Sequence, residues 1–299
     1  MSRTPHQAFD INGRTVFITG AARGIGAATA ERLHAKGANV ALVGLEPERL
    51  EELAARLGER AAWFEADVSD YAALERAVNG TVARFGALDV AIANAGIAYV
   101  GALATAPMEQ IERALAVNFL GVWRTDRAVI GQIMERKGYL LNISSLAAVM
   151  HAPLMGAYTA SKAGVEAMTD ALRQESTPSG ARVGCAYFGF LDTDLVRGAY
   201  ASPATQAMNT RVPAFIRNPA PLSKAIDAIE RGIERRAARV WTPRWVGPLL
   251  ALRGILQPFT ERQVVADSDR LAESLRLVDP ANGQMPAEDP LLGVAAKAL

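Results

Sequence analysis

The sequence predicts an α/β fold in which a doubly wound parallel sheet of about seven strands carries helices on both faces, followed by a C-terminal extension. Short apolar runs alternate with stretches whose apolar residues recur every three or four positions, the spacing of one buried helix face. Apolar strands separated by helices are typical of parallel sheets joined by right-handed crossovers. The predicted strands are residues 15–19, 39–43, 61–65, 88–93, 139–143, 182–187 and 239–241.

Composition and charge restrict the classes of protein to which the chain can belong. Its 299 residues, 50% of them hydrophobic, suffice for one large domain with an appendage. The 32 basic and 31 acidic residues nearly cancel, which argues against a nucleic-acid binder, and no apolar run is long enough to span a bilayer. The single cysteine, Cys185, cannot form an internal disulfide, so we expect it to pack in a strand of a cytoplasmic protein.

A glycine-rich turn, Thr19-Gly-Ala-Ala-Arg-Gly-Ile-Gly26, follows the first predicted strand and leads directly into a helix. Elsewhere in a chain such a cluster is often only a tight turn, because glycine adopts positive φ at little cost. Between a strand and a helix N-terminus, backbone N–H groups and the helix dipole favour a bound pyrophosphate. The turn therefore predicts a Rossmann-type dinucleotide site whose candidate contacts are Gly20, Arg23, Gly24, Ile25 and Gly26.

A tyrosine and a lysine four residues apart, Tyr158 and Lys162, open a predicted helix and should share one helix face. An isolated tyrosine has a pKa of about 10, and a neighbouring ammonium group lowers that pKa by stabilising the phenolate. Such a pair can act as an acid/base, although a lone pair at this spacing is most often an exposed helix pair. Ser144 and Ser145 follow the fifth predicted strand, at the sheet edge where ligands of parallel α/β folds bind.

The order of these motifs over residues 15–195 resembles the short-chain dehydrogenase/reductase family. The glycine spacing matches the family's TGxxxGxG turn, and Ser145 precedes Tyr158 by 13 positions, as in the family. The resemblance implies hydride transfer between NAD or NADP and a carbonyl or carbinol carbon. It implies that Ser145 binds the substrate oxygen, that Tyr158 exchanges the proton, and that Lys162 holds the nicotinamide ribose and lowers the tyrosine pKa. Asn118 would position a water that relays protons to solvent.

The resemblance also implies further contacts with the dinucleotide. An Asn-Ala-Gly motif follows the fourth strand, and an Asp-Val pair ends the third. Phe188 stands where the family usually has a proline ahead of a glycine, which loosens a φ restraint beside the nicotinamide. Each of these residues alone has a structural explanation as a turn or a helix cap. The implied contacts are Asp67, Val68, Asn94, Ala95, Gly96, Gly189, Leu191 and Thr193, besides Tyr158 and Lys162.

The choice between NAD and NADP is expected at the end of the second strand. By the family's spacing the deciding positions are Gly44 and Leu45, which are neither acidic nor basic. Glu46 is suited to binding a ribose hydroxyl and repelling a 2′-phosphate, whereas Arg23 argues for the opposite preference. A first-turn helix position explains Glu46 equally well. The cofactor is therefore NAD or NADP, with NAD favoured.

Residues expected near the reacting centre are mostly apolar, so the sequence favours a hydrophobic alcohol or ketone as the substrate. His151 lies between Ser145 and Tyr158, but we expect it on the loop surface. The three histidines are scattered, so no metal site is expected. The residues assigned to the apolar pocket are Ile97, Ala147, Ala148, Leu154, Met155 and Phe190.

We expect a catalytic domain over residues 1–243 and an extension over residues 244–299. Residues 197–221 lack clear periodicity and form either a substrate lid or a connecting loop. The extension either packs on its own domain or a partner subunit, closes over an apolar substrate, or lies on a membrane surface, in that order of preference. Pro248 and Pro258 are expected to keep any helix in it short.

Two other functions predict residues that differ from those of this chain. A dinucleotide-sensing protein without catalysis should lack Tyr158, Lys162 or Ser145, and all three are present. An epimerase or a reductase of activated double bonds should need another acid/base, and none is visible. Members of the family commonly assemble through the helix that carries the Tyr-Lys pair, so the resemblance implies a homo-oligomer, a dimer or a tetramer.

Overall fold

The computed structural model describes residues 8–201, 204–205 and 218–279. Seven strands form one sheet in the order β3-β2-β1-β4-β5-β6-β7, and every neighbouring pair is parallel. The order reverses between β1 and β4, so a crevice is expected at the carboxyl ends of these two strands. The predicted fold class is confirmed. The strands are β1 Thr15–Thr19, β2 Asn39–Gly44, β3 Ala61–Glu65, β4 Val90–Ala93, β5 Tyr139–Ile143, β6 Arg182–Phe188 and β7 Arg239–Thr242.

Helices cover both faces of the sheet. In β1, Val16 and Ile18 belong to a core with α1, α2 and α8, whereas Phe17 packs with α3 and α5 on the other face. This alternation follows from the two-residue repeat of a strand, and it explains why all five residues of β1 are buried. The helices are α1 Gly24–Ala35, α2 Pro47–Leu57, α3 Tyr71–Phe85, α4 Met108–Leu115, α5 Gly121–Glu135, α6 Gly156–Ser176, α7 Asp194–Ala201, α8 Leu222–Arg235, α9 Val246–Val265 and α10 Ser268–Leu277.

Strand β4 begins two residues later than the predicted start at residue 88. The carboxylate of Asp89 accepts a hydrogen bond from the backbone N–H of Thr15 at 3.1 Å and from the Arg14 side chain at 3.1 Å. Asp89 therefore anchors the amino end of β1 instead of extending β4.

Helices α7 and α9 occupy segments for which the sequence did not predict a long helix, and the expectation that Pro248 and Pro258 keep any helix in the extension short was wrong. Helix α7 starts at Asp194 and occupies part of the segment 197–221 that lacked periodicity, because Thr193 Oγ1 accepts the Val196 N–H at 3.3 Å and caps the first turn. Helix α9 runs for 20 residues through Pro258. Pro248 lies in its first turn, where no intrahelical N–H bond is lost. Pro258 removes one bond, to the carbonyl of Gly254, and the helix continues. Of the suggested lid, residues 202–203 and 206–217 lie outside the described residues.

A buried polar cluster joins β5 to the helices α5 and α6. The Asn142 side-chain amide donates to Asp126 Oδ2 at 2.7 Å and to Thr169 Oγ1 at 2.9 Å. All three side chains are buried, and the second carboxylate oxygen of Asp126 has no hydrogen-bond partner. Burial raises the pKa of Asp126 to about 8, against the opposing effect of the bond from Asn142. The carboxyl is therefore protonated at neutral pH.

Replacing Asp126 by asparagine is expected to stabilise the protein increasingly as the pH rises. The unfolded carboxyl ionises near pH 4 and the folded one near about pH 8, so the wild type loses stability across that window while Asp126→Asn does not. The difference in unfolding free energy should grow by up to about 1.4 kcal/mol per pH unit. Urea unfolding at several pH values measures it. A difference that is constant with pH would contradict a buried neutral carboxyl.

Candidate active site

The phosphate-binding turn lies at the carboxyl end of β1, against the end of β4. Gly20 has φ +64°, and a β-carbon placed on it would lie 2.9 Å from Ala95 Cα. A β-carbon at Gly26 would lie 2.2 Å from the Gly20 carbonyl oxygen. Glycine is therefore required at both positions by close backbone approach.

The N-terminus of α1 is open to a ligand. Gly24 has φ +57° and no atom within 4 Å of the place that a β-carbon would occupy. Arg23 is the N-cap residue in an extended conformation, no side chain caps the helix, and its first turn holds no acidic residue. Uncapped N–H groups at a helix N-terminus favour an anion. The side chain of Ile25 is half-buried and packs against the core beneath α1.

Asn94 ties the phosphate-binding turn to β4. Its backbone N–H donates to Thr19 Oγ1 at 3.0 Å, and its side-chain amide donates to the carbonyls of Thr19 at 2.9 Å and Gly20 at 3.2 Å. The Ala95 N–H also donates to Thr19 Oγ1, at 3.2 Å. Thr19 thus holds the ends of β1 and β4 together. The sequence did not predict this role, although Thr19 is the first residue of the glycine-rich turn.

Lys162 and Asn118 meet beside Gly96. A β-carbon at Gly96 would lie 3.1 Å from Asn118 Oδ1 and 3.7 Å from Lys162 Nζ. Lys162 is 4% exposed, its ammonium donates to the Ile143 carbonyl at 2.9 Å, and burial lowers its pKa to about 8. Asn118 lies in a π-helical turn, Ala116–Leu120, and is fully buried. Its side chain accepts from the Ile97 N–H at 2.7 Å and donates to the Ile97 carbonyl at 2.8 Å.

The Tyr158 phenol lies between Lys162 and Ser145. Lys162 Nζ is 5.7 Å from the centre of the tyrosine ring. Burial raises the pKa of Tyr158, and a hydrogen bond from Ser145 opposes that rise. The direction is opposite to the lowering expected from the sequence. The expectation was wrong for this state of the site, because desolvation favours the neutral phenol and the ammonium is directed to the Ile143 carbonyl.

The two serines after β5 have different roles. Ser145 is half-buried, and its Oγ accepts the Ala147 N–H at 3.1 Å, which starts a short 3₁₀ turn over Leu146–Ala148. Ser144 is buried and donates to the Lys162 carbonyl at 2.9 Å. Ser144 thereby fixes α6 to the end of β5, a structural role that the sequence did not separate from that of Ser145.

At the end of β2, Glu46 is paired with two arginines. Its carboxylate lies 3.4 Å from Arg23 Nε and 3.7 Å from Arg49 Nε, and its side chain is 19% exposed. Leu45 beside it is half-buried. The Arg23–Glu46 pair therefore joins the phosphate-binding turn to the position expected to contact the adenosine ribose.

The proposed adenine contacts after β3 have local structural partners. Asp67 Oδ1 accepts the Ser69 N–H at 2.7 Å, whereas Asp70 caps α3. Val68 is buried against α5, where a β-carbon at Gly121 would lie 2.6 Å from its side chain.

The segment after β6 is held by backbone hydrogen bonds and close packing. The Gly189 N–H donates to the Thr242 carbonyl at 2.9 Å, and a β-carbon there would lie 3.2 Å from Pro243 and 3.3 Å from Trp245. Leu191 is buried and bridges to Ala220. Phe188, which replaces the family's proline, remains within β6 and is buried. Thr193 is half-buried, and its hydroxyl caps α7.

The residues assigned to the apolar pocket lie in the loops that follow β4, β5 and β6. Ile97, Ala148 and Leu154 are buried. Ala147, Met155 and Phe190 are half-buried, and His151 is exposed as expected. In the described part of the chain, no three His, Cys, Asp or Glu residues are grouped as metal ligands would be.

The family model for short chain dehydrogenases matches residues 14–203 of this sequence. The chain belongs to the short-chain dehydrogenase family. This span contains the glycine turn, both serines and the Tyr-Lys pair, and it ends before α8, α9 and α10.

Relatives of this short-chain dehydrogenase have varied names. It is 34% identical to a D-threitol dehydrogenase of Mycolicibacterium smegmatis over 69% of this chain and 80% of the relative. It is 32% identical to 3beta-hydroxysteroid dehydrogenase 1 of Eggerthella lenta over 68% of this chain and 80% of the relative. Among solved structures it is similar to levodione reductase, with a TM-score of 0.70 and 25% identity over 77% of this chain and 96% of the other.

This short-chain dehydrogenase is therefore an oxidoreductase that uses a nicotinamide dinucleotide and acts on alcohol or ketone groups. The open, uncapped N-terminus of α1 and the space above Gly24 fit the pyrophosphate of such a cofactor. None of the helices that the structure describes is long and apolar enough to cross a membrane.

Proposed function

We propose that the protein interconverts apolar secondary alcohols and ketones, with NAD(H) preferred to NADP(H) and with Tyr158 as the proton donor and acceptor. The observation that carries the proposal is the grouping of Tyr158, Lys162, Ser145 and Asn118 beside the crevice between β1 and β4. When bound, the dinucleotide supplies or accepts the hydride.

In the reductive direction, each residue of the group has a separate task. Ser145 donates a hydrogen bond to the substrate oxygen, which stabilises the negative charge that develops there. Tyr158 gives its proton to the same oxygen, and burial keeps the phenol protonated near neutral pH, as a donor must be. Lys162 binds the nicotinamide ribose with the ammonium hydrogens that remain after its bond to Ile143.

Asn118 is proposed to hold the inner wall of the site and a relay water. Its amide makes two bonds to Ile97, which leaves one N–H and one oxygen lone pair unused. A water bound there would lie on the side of Lys162. The place that a β-carbon would occupy at Gly96 is 3.1 Å from Asn118 Oδ1 and 3.7 Å from Lys162 Nζ, so the two side chains meet at this point.

The remaining proposed cofactor contacts follow the crevice. Gly20, Gly24 and Gly26 bring backbone N–H groups to the pyrophosphate, and Asp67 and Val68 lie at the end of β3 where adenine would bind. The Asn94-Ala95-Gly96 segment would support the dinucleotide from the end of β4. Gly189, Leu191 and Thr193 would meet the nicotinamide end.

Preference for NAD rests on the charge of Glu46. The carboxylate repels a 2′-phosphate and accepts hydrogen bonds from ribose hydroxyls, while it neutralises the two cations, Arg23 and Arg49, that a 2′-phosphate would need.

Replacing Glu46 by glutamine should shift the preference toward NADP(H). The change removes the negative charge that repels a 2′-phosphate and that partly neutralises the two arginines, so the ratio of kcat/KM for NADPH to that for NADH should rise by about tenfold, or roughly 1.4 kcal/mol. Glu48→Gln is the matched control, because Glu48 is an exposed acid in the first turn of the same helix. An unchanged ratio in Glu46→Gln would exclude Glu46 as the selecting residue.

An apolar substrate is favoured by the buried or half-buried apolar residues in the three loops around Tyr158. The two relatives described above are named for a polyol and a steroid, so the class must be tested directly. Methyl ketones and a polyol should be assayed with both reduced and oxidised cofactors by nicotinamide absorbance. Turnover of apolar ketones with NADH supports the proposal, and turnover of the polyol alone contradicts it.

We further propose a cytoplasmic homo-oligomer. The reduced, fully buried Cys185 suits a reducing compartment, and α5 exposes Trp123 at 45% on its surface beside α6. Light scattering after size-exclusion chromatography distinguishes a dimer or tetramer from a monomer.

A further inference from the structure

Buried apolar residues from four parts of the chain form one cluster. Val100 and Ala102 come from the loop after β4, Leu154 from the loop after β5, and Ala204 from the segment after β6. These are the three loops that lie at the carboxyl ends of strands around the reacting centre. The fourth part is the residue that follows α10, Val278, which is 3% exposed.

Leu154 ties this cluster to the catalytic helix. It lies four residues before Tyr158 and has φ +65°, a conformation that is rare for a residue with a branched side chain. Its carbonyl accepts the Gly101 N–H at 2.8 Å, which joins the loops after β4 and β5. A backbone conformation of this kind persists only when its surroundings hold it, and such positions cluster at ligand sites.

The extension is held in place by polar bonds to the catalytic domain. Arg253 in α9 donates to both carboxylate oxygens of Glu166, at 2.9 and 2.8 Å, and Tyr187 donates to the same carboxylate at 2.9 Å. Glu166 lies one helical turn after Lys162 in α6. Farther along α9, Gln257 accepts the His151 N–H at 2.9 Å, in the loop between Ser145 and Tyr158.

We propose that the C-terminal extension forms an outer wall of the substrate site and that Val278 limits the length of the apolar group that the site accepts. The inference rests on the proposed reduction of apolar ketones. The wall comes from a part of the chain beyond residue 203, where the family match ends. It is apolar on all sides described, so it recognises the end of the substrate remote from the carbonyl by size and not by hydrogen bonding.

The test uses Val278→Ala and Val278→Leu with methyl ketones of increasing chain length, from butanone to decanone. Removing two methyl groups should raise kcat/KM for the longest ketones relative to butanone by roughly tenfold, and adding a methylene should lower that ratio by a similar factor. Leu275→Ala is the control, because Leu275 is 39% exposed on the same helix and lies outside the cluster. Its chain-length profile should equal that of the wild type.

The possible outcomes distinguish failure of the proposed wall from failure of the proposed function on which it rests. A merely structural Val278 would lower the melting temperature or all kcat/KM values together, with an unchanged profile in both variants, and that result overturns the inference alone. Val278→Leu adds volume without opening a cavity, so it provides the profile even if Val278→Ala does not fold. If the wild type reduces none of the ketones, both the proposed function and the wall are overturned.

Discussion

Tyr158→Phe is expected to lower kcat for ketone reduction by about a thousandfold while cofactor affinity changes by less than about twofold. The phenol is the group assigned to give its proton to the substrate oxygen: burial raises its pKa and keeps it protonated at neutral pH, Ser145 is a hydroxyl of far weaker acidity, and the Lys162 ammonium donates to Ile143 and, as proposed, to the nicotinamide ribose. Phenylalanine keeps the ring and its packing. Steady-state kinetics and a fluorescence titration with NADH measure the two effects separately.

The matched control is Tyr99→Phe. Tyr99 is a second buried phenol near the start of α6, where it packs with Ala157, the residue next to Tyr158. Burial raises its pKa as well, so the two variants remove the same group from similar surroundings. Tyr99→Phe should retain kcat within about threefold, because its hydroxyl is not among the groups assigned to the substrate oxygen and its loss leaves the transition state intact. Tyr158→Phe with most of its activity would refute the assignment of the proton donor.

The fold was predictable because its sheet is parallel and buried on both faces. In β1 the three consecutive inner residues, Val16, Phe17 and Ile18, are apolar on both faces, so the strand stands out from the helical periodicity around it. The helices α7 and α9 were missed for a different reason. Helix α7 begins with a cap from Thr193, and α9 is held by contacts of Val246 with Cys185 and Tyr187. The cap is local but a single threonine is a weak signal, and the long-range contacts of Val246 leave no local pattern in a sequence.

The proximity of Tyr158 and Lys162 was predictable, whereas the electrostatics of the pair were not. Spacing along a helix places Tyr158 and Lys162 on one face, which the structure shows, with 5.7 Å between the ammonium and the ring centre. The direction of each pKa shift depends on how deeply the group is buried and on the hydrogen-bond partners that the folded chain brings to it. The Ile143 carbonyl, which takes the ammonium, lies 19 residues before Lys162 and has no side-chain signature. Likewise, only the folded chain brings Arg23 to the carboxylate of Glu46.

Gly26→Ala is expected to lower the free energy of unfolding by about 3 kcal/mol and to lower cofactor affinity by about tenfold or more. A β-carbon at this position would lie 2.2 Å from the carbonyl oxygen of Gly20, 2.8 Å from its carbonyl carbon and 2.9 Å from Ala21 Cα. All three are backbone atoms, so no side chain can move aside. The turn must shift away from α1, and its N–H groups leave the positions from which they would meet a pyrophosphate.

Gly131→Ala is the control that separates this clash from the general effect of the substitution. Gly131 lies within α5 with no atom within 4 Å of a new β-carbon, so alanine there should raise the unfolding free energy by about 0.5–1 kcal/mol and leave NADH affinity unchanged. Chemical unfolding and NADH titration of both variants give the comparison. If Gly26→Ala destabilises the protein while Gly131→Ala stabilises it, the requirement for glycine at position 26 comes from its contact with Gly20. Equal effects in the two variants would mean that this contact does not set the geometry of the turn.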